Sequence, residues 1–492
     1  MKNQFLSPHF RIFGYLVWAI LLLFSILFYK ERVLFLDAGF QVFKMVNEGI
    51  PQVYHYRFST LFIQILPYAA FLLGASIKWI MILYSASYVL FFGAIYHLIV
   101  KWLRNDYLGW ALIFLFTLLT LDNFYFIQSE YYLALALLLL NFGIVNRFPN
   151  LNRRWIFPLF LPLLLTIVFS HKLTIIPFTF LWIFFWLHHK QLRHKRYYAF
   201  FGLFLGLSVF KSYFFTNWYE ASKGKVFSDN LNRFFPNYFD IPANELFLER
   251  VLEHYYFFPI LLIGLSVFYL KKIYDSSEKE SVLINLIKLL LIWAFCIGQV
   301  LIYAIADPDS PYRFYAELNY LPILIFLAVP LVFDVLPHSP LAPLAPKGES
   351  VHVPKMRHTI LIGVVLIIAF RLFIIADNHN TYEKRISWME NQLSNCDKLN
   401  TNRLLIKQKE VPMDIIIQDW GVPYNTLLLS TLESPDSAKT IFIHENFEGY
   451  KRKDLLEKDD YFLTRFHNQA LQVDSMNLDY FRLGKESYHI IE

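Results

Sequence analysis

Phe35-Leu-Asp-Ala-Gly-Phe-Gln-Val-Phe-Lys-Met-Val-Asn-Glu-Gly49 follows an apolar run, Ile12 to Tyr29, and the charged triplet Lys30, Glu31 and Arg32. Phe40, Phe43 and Val46, supported by Val42 and Met45, recur at helical spacing and predict a helix lying in a membrane interface. Asp37 stands just before that helix. The apolar run is long enough to span a bilayer and no small-residue cleavage site follows it, so it reads as an uncleaved first helix. A carboxylate therefore sits a few residues beyond the end of a first span.

The composition agrees with a membrane setting. Of 492 residues, 56% are hydrophobic and only 17% charged, against about a quarter charged in soluble domains. The net charge of +6 is carried in short clusters between apolar segments, where Lys and Arg set membrane orientation, so no nucleic-acid partner is implied. Cys296 lies in an apolar segment and Cys396 in a polar one, and no disulfide framework follows.

The fold class predicted is an α-helical polytopic membrane protein of about eleven transmembrane helices, with interfacial helices in the first outer loop and a small α/β C-terminal external domain. Candidate spans are 11–29, 77–100, 107–121, 130–146, 155–170, 173–188, 197–215, 255–270, 282–305, 314–334 and 359–376. Basic turns recur after every second crossing, at Lys101 and Arg104, Arg147 to Arg154, Lys190 to Arg196, Lys271 and Lys272, and Lys355 and Arg357. They place those turns and the N-terminus in the cytoplasm. Phe58 to Gly74 is apolar but short and carries Gln64 and Pro67, so it is expected to dip into the bilayer from outside. Proline-rich 337–355 reads as a cytoplasmic linker.

Two domains result: a transmembrane region, 1–376, and an external α/β domain, 377–492. In the latter, a helix is expected near Tyr382–Leu393, a strand at Thr440–His444, a charged helix near Lys451–Phe466, and a strand pair at Tyr480–Leu483 and Tyr488–Ile491. The external domain is expected to close over an active site or to recognise an acceptor.

Phosphate loops, GxGxxG, HExxH and GxSxG are absent from the sequence, so the chemistry is sought in the charged residues of the outer loops. The reaction tested against these charges is the one implied by the family resemblance given below, sugar transfer from a lipid phosphate: a sugar so attached keeps its anomeric carbon near the headgroup plane. A transferase must place a base there and hold the leaving phosphate with cations. Asp37 is the candidate base. Lys172 and Arg313, with His55 and Arg57 as further candidates, would bind the lipid phosphate. Asp122 and Glu130 would position the acceptor or hold a divalent cation, Mg or Mn. Blander roles compete: Asp37 as a helix N-cap, Asp122 and Glu130 as caps, Lys172 as a snorkelling lysine, and Arg313 in a salt bridge to Asp309 or Glu317. His171 reads as structural, and His188, His189 and His194 as solvated charge.

The layout resembles the C superfamily of membrane-integral glycosyltransferases, near its protein O-mannosyl and aminoarabinose transferases. The matching residues are Asp37, Phe40 and Gly49 in a D-x-x-[FY]-x(6–9)-G pattern, the Pro67 segment with Leu73-Gly-Ala-Ser76, and the span from Ile77. The likeness continues through Gln128-Ser-Glu-Tyr-Tyr-Leu-Ala-Leu-Ala-Leu137 and Ser170-His-Lys-Leu-Thr-Ile-Ile-Pro177. It covers roughly 10–215 and the outer loop 306–322. Ala38 after Asp37, and His55-Tyr-Arg-Phe58 where proline is common, depart from the pattern.

The resemblance implies sugar transfer from a polyprenyl-phosphate donor to a glycan, lipid or protein acceptor at the outer face of a membrane, a bacterial inner membrane by its charge bias, with inversion. The C-terminal domain would be periplasmic. Rival readings are a flippase for lipid-linked sugars, a polysaccharide polymerase or ligase, and an inactive scaffold of the same fold.

Overall fold

The computed structural model describes residues 8–491 except 128–129, 149–156, 190–194, 232–240, 310–311, 337–355, 446–457 and 465–469. The expected proline-rich linker and residues 451–457 and 465–466 of the expected charged helix lie outside the described residues; the described part of that helix is not helical, and Tyr461–Leu463 forms a strand.

Helices dominate. In chain order they are α1 (Pro8–Leu27), α2 (Tyr29–Val33), α3 (Asp37–Glu48), α4 (Thr60–Leu72), α5 (Ile77–His97), α6 (Asp106–Thr117), α7 (Glu130–Arg147), α8 (Phe157–Ser170), α9 (Ile175–His188) and α10 (Lys195–Phe214). Then follow α11 (Trp218–Leu231), α12 (Pro242–Glu253), α13 (Phe257–Tyr274), α14 (Lys279–Ala306), α15 (Arg313–Pro330), α16 (Met356–Asp377), α17 (His379–Lys398), α18 (Met413–Ile416) and α19 (Val422–Ser430). Among the described residues six helical stretches are long and apolar enough to cross a membrane, or seven if α10 and α11, bent by 103°, form one broken span. This is a helical membrane protein. Several of the eleven expected spans are shorter than a crossing: α6 has 12 residues and α9 has 14, about 20 Å of helix against a hydrocarbon layer of about 30 Å. The segment expected to dip into the bilayer is α4, a helix of 13 residues that is likewise too short to cross.

The bundle has two polar ends. At one, Arg11 pairs with Asp106 at 3.0 Å, and Asp334 binds Lys288 at 2.7 Å, Tyr269 Oη at 2.5 Å and His188 Nδ1 at 2.9 Å. His188 is thus a partner in a buried cluster, not the solvated charge expected of it; His194 lies outside the described residues. At the other end α6 stops at Thr117 and the chain turns irregularly to α7. Irregular backbone in a medium without water must find partners inside the protein.

Charged side chains supply those partners. Arg371 donates to the carbonyls of Thr117 and Thr120 at 3.1 and 3.2 Å, and Arg32 donates to that of Phe124. The carboxylate of Glu317 accepts the N–H groups of Leu121, Asp122 and Asn123 at 2.8–2.9 Å. Glu317 therefore does not pair with Arg313.

Against this end lies the C-terminal α/β part. Strands β1 (Arg403–Lys407), β2 (Thr440–His444) and β5 (His489–Ile491) form a parallel sheet in the order β2-β1-β5, with Leu405 opposite Phe442 and Ile490. Strands β3 (Tyr461–Leu463) and β4 (Ala470–Gln472) pair antiparallel. Thr440–His444 is the strand expected there. Tyr480–Leu483 is not a strand, and β5 pairs with β1 instead, because α18 and α19 carry the chain back so that β1 becomes the central strand.

This part covers α3. Phe43 packs on Tyr424, Phe462 and Phe481 with ring centroids 5.1–5.5 Å apart, and Phe40 lies 5.1 Å from Tyr424. Asn477 bonds Asn47 and the Val46 carbonyl at 3.0 and 2.9 Å. The expected interfacial helix is therefore enclosed by protein over most of its surface, with Gln41, Val42, Met45 and Val46 also buried.

Replacing Glu317 by Ala strands three buried N–H groups and the Tyr255 hydroxyl that donates to the same carboxylate. The expected cost is about 3 kcal/mol or more, at about 1 kcal/mol or more for each stranded donor, with loss of hydrogen-exchange protection confined first to Leu121–Asn123. Wild-type protection there in the variant would refute the role.

Candidate functional site

All seven residues put forward from the sequence, Asp37, His55, Arg57, Asp122, Glu130, Lys172 and Arg313, lie at the end of the bundle that carries the C-terminal part. Asp37 opens α3 as its first helical residue. It is not the N-cap: that position is Leu36, at φ 46° and ψ −118°, and no side chain caps the helix. A branched residue at positive φ costs about 1–3 kcal/mol and persists only where its surroundings impose it.

The second presenting segment is strained as well. His55 and Tyr56 have φ of 55° and 62°, in a turn closed by the Arg57 N–H to the Tyr54 carbonyl at 3.0 Å. Positive φ at both central residues is ordinarily the province of Asn and Gly. The turn delivers Arg57 to Glu130, Nη1 to Oε2 at 2.9 Å, with the guanidinium 5.5 Å above the Tyr219 ring. The Arg57 Nε is buried and without a partner among the described residues.

Asp37 is partly exposed, and its carboxylate has no hydrogen-bond or ion-pair partner among the described residues. Its pKa is pushed up to about 7, first by burial and then by the negative charge of Glu130, against the lowering effect of Arg57. Tyr84 of α5 and Tyr315 of α15 also lie within its electrostatic reach. Burial and Glu130 thus leave this carboxyl half-protonated near neutral pH.

A second charged group adjoins it. Lys172 lies 3.2 Å and Lys211 3.0 Å from the carboxylate of Glu220. Glu220 is also in electrostatic contact with Arg57. His55 stacks on Tyr219, with centroids 4.8 Å apart, which ties the strained turn to α11. His171 stacks on Tyr131 and accepts the Leu173 N–H at 3.2 Å, a structural role; burial and the cations Arg57, Lys211 and Lys172 hold its pKa well below the usual imidazole value.

Lys211 and Glu220 were not expected from the sequence, because they meet only through the 103° bend between α10 and α11. One signal was present. Asn217 and Glu220 have the spacing of a helix start, and the Asn217 Oδ1 accepts the Glu220 N–H at 2.9 Å.

Two candidates stand apart from Asp37. Asp122 is buried and fully engaged, to Arg250 at 2.7 Å and to Tyr382 and Asn378 at 3.2 Å each, so it joins the C-terminal part to the bundle and leaves no open acceptor or metal position. Arg250 of α12, which the sequence did not single out as a site residue, is locked in the same network. Arg313 begins α15, exposed and without a partner among the described residues. Among the described residues no group of three or more His, Cys, Asp or Glu side chains is placed to hold a metal ion. An apolar cavity lined by Phe247, Tyr255, Phe258 and Tyr320 lies behind Glu317, and none of the seven candidates lines it.

No family model, no curated protein and no solved structure matches this chain.

The raised pKa of Asp37 has a sign. Between about pH 4 and pH 7 the folded state holds a proton that the unfolded chain has released, so this group's contribution to stability falls as pH rises through that window. Asp37→Asn, which keeps the shape of the protonated form, should leave thermal stability unchanged near pH 4 and raise it at pH 8 by about 1–3 kcal/mol. Equal effects at both pH values would show that the carboxyl titrates normally.

Proposed function

We propose that this chain is a membrane glycosyltransferase that moves a sugar from a polyprenyl-phosphate donor to an acceptor hydroxyl, with Asp37 as general base. The observation that carries the reading is the Asp37 carboxyl itself: without a hydrogen-bond or ion-pair partner among the described residues, partly open, raised in pKa by burial and Glu130, and within electrostatic reach of Arg57. A general base works best when its pKa lies near the working pH. The resemblance of 10–215 to the C superfamily supports the same assignment.

In the reaction proposed, the acceptor oxygen bonds to the anomeric carbon as its proton passes to an Asp37 oxygen. The bond from that carbon to the phosphate oxygen breaks, and the phosphate keeps the electron pair. One displacement inverts the anomeric centre. Arg57 and Lys172 would offset the charge gathering on the phosphate. His55 serves indirectly, by holding the Arg57 turn against Tyr219.

In this reading the end bearing Asp37 faces the outside of a bacterial inner membrane, and the N-terminus and basic turns face the cytoplasm. A lipid-linked-sugar flippase is less well supported. It would place its ionisable groups near the bilayer midplane, whereas the pairs Lys211–Glu220 and Lys288–Asp334 sit toward opposite ends of the bundle.

Transfer of labelled sugar from polyprenyl-phosphate donors in membranes tests the proposal. Asp37→Asn should lower turnover by about 10²–10⁴-fold while leaving donor binding intact. Undiminished transfer by this variant would sink the assignment.

A further inference from the structure

The first turn of α3 carries Asp37 on one side and meets the C-terminal part on the other. Three features converge at that contact. Leu36 is held at positive φ. Gly39 faces the side chain of Asn425 in α19 so closely that a Cβ on Gly39 would lie 2.0 Å from its Oδ1. Asn425 is fully buried, and neither its Oδ1 nor its Nδ2 has a hydrogen-bond partner among the described residues.

A buried amide without partners is unfavourable, and a leucine would fill the same space without the loss of hydration. What the amide has before it is the start of a helix, whose first N–H groups have no acceptor within the helix. Gly421 packs against the same turn, its side-chain direction 3.2 Å from the Leu36 Cα. One residue pair upstream, Arg385 of α17 donates to the Leu34 carbonyl at 3.4 Å and to the Ile416 carbonyl, with its guanidinium 5.3 Å from the Phe35 ring. The turn that presents the carboxyl is thus pressed from behind by α17 and α19.

We infer that Asn425 is a positioning residue for Asp37: through its contact with Gly39 the C-terminal part holds the first turn of α3 in its strained form and keeps the carboxyl among Glu130, Arg57, Tyr84 and Tyr315. The inference rests on the reading of Asp37 as the base, yet it concerns only where that group is held. The C-terminal part then acts as a clamp on the site from the side opposite the reacting groups. Loosening the clamp admits water to Asp37, which relieves the largest cause of its raised pKa. Moving it away from Glu130 acts in the same direction, and moving it away from Arg57 acts in the opposite and smaller one, so the net change favours the ionised form.

The test uses the full chain in detergent and needs no sugar substrate. A hydrophobic carbodiimide modifies protonated carboxyls in apolar surroundings, and peptide mass spectrometry reads the extent at Asp37 as a function of pH. The wild-type midpoint should lie near neutrality. Asn425→Ala and Gly39→Ala should each lower it by about one unit or more. Leu405→Ala, which weakens the separate cluster of Leu405, Phe442, Leu463 and Tyr488 on the sheet, should not move it. If Gly39→Ala does not fold, Asn425→Ala decides alone.

An unchanged midpoint in Asn425→Ala, or an equal shift in Leu405→Ala, overturns the positioning role and leaves the functional reading standing. A wild-type midpoint in the ordinary carboxylate range would overturn both, since Asp37 would then lack the environment that either requires.

Discussion

Backbone that leaves regular structure inside an apolar bundle must have every polar group answered from within, and here the break after α6 imposes that demand. Carbonyls of Thr117, Thr120 and Phe124 go to guanidinium groups, and N–H groups of Leu121 to Asn123 go to one carboxylate. Buried ions are costly unless fully hydrogen-bonded. The exchange is favourable because each ion satisfies several backbone groups at once. Arg371 on α16 and Glu317 on α15 come from distant parts of the chain, so satisfying one loop also fixes the relative placement of the helices that supply them.

The same device joins the C-terminal part to the bundle. Arg385 bonds the carbonyl of Leu34 in the bundle and those of Ile416 and Gln418 in the C-terminal part, without an ion-pair partner among the described residues; Arg403 does the same within the C-terminal part, bonding the carbonyls of Tyr461 and Gly484. Together with Asp122, bound by Arg250 from the bundle and by Tyr382 and Asn378 from the C-terminal part, these contacts leave α3 between two layers. A helix so enclosed can hold a strained residue at its start and a carboxyl that solvent reaches only in part. The strained turn at His55 and Tyr56 presents Arg57 to the same place from the opposite direction.

Much of this was legible in particular residues. The period of Phe40, Phe43 and Val46 marks α3, Thr440–His444 reads as a strand, and Arg57, Glu130 and Lys172 were found as charges at apolar boundaries. Other residues misled for identifiable reasons. Asp122 and Glu130 look alike in sequence, both at helix starts beside one loop, but Asp122 meets Arg250 across 128 positions and Glu130 meets Arg57 across 73. Lys211 and Lys288 appear as isolated charges because Glu220 and Asp334 reach them only through a bend and a helix crossing. Glu317 looks like a partner for Arg313 four residues away, yet backbone N–H groups nearly two hundred positions earlier take it.

From the sequence alone came the apolar helices, the side of each helix end on which charge collects, and an acid placed just past the first span. These follow from local periodicity and from the cost of putting charge in hydrocarbon, which act on each segment by itself. Only the tertiary structure decided which ions answer the open backbone, that α3 is covered by the C-terminal part, and that Asp37 has no partner among the described residues while Asp122 is saturated. Those outcomes depend on which distant groups come within a few ångströms in a low-dielectric interior, where the presence or absence of one neighbour sets whether a carboxylate is structural or reactive.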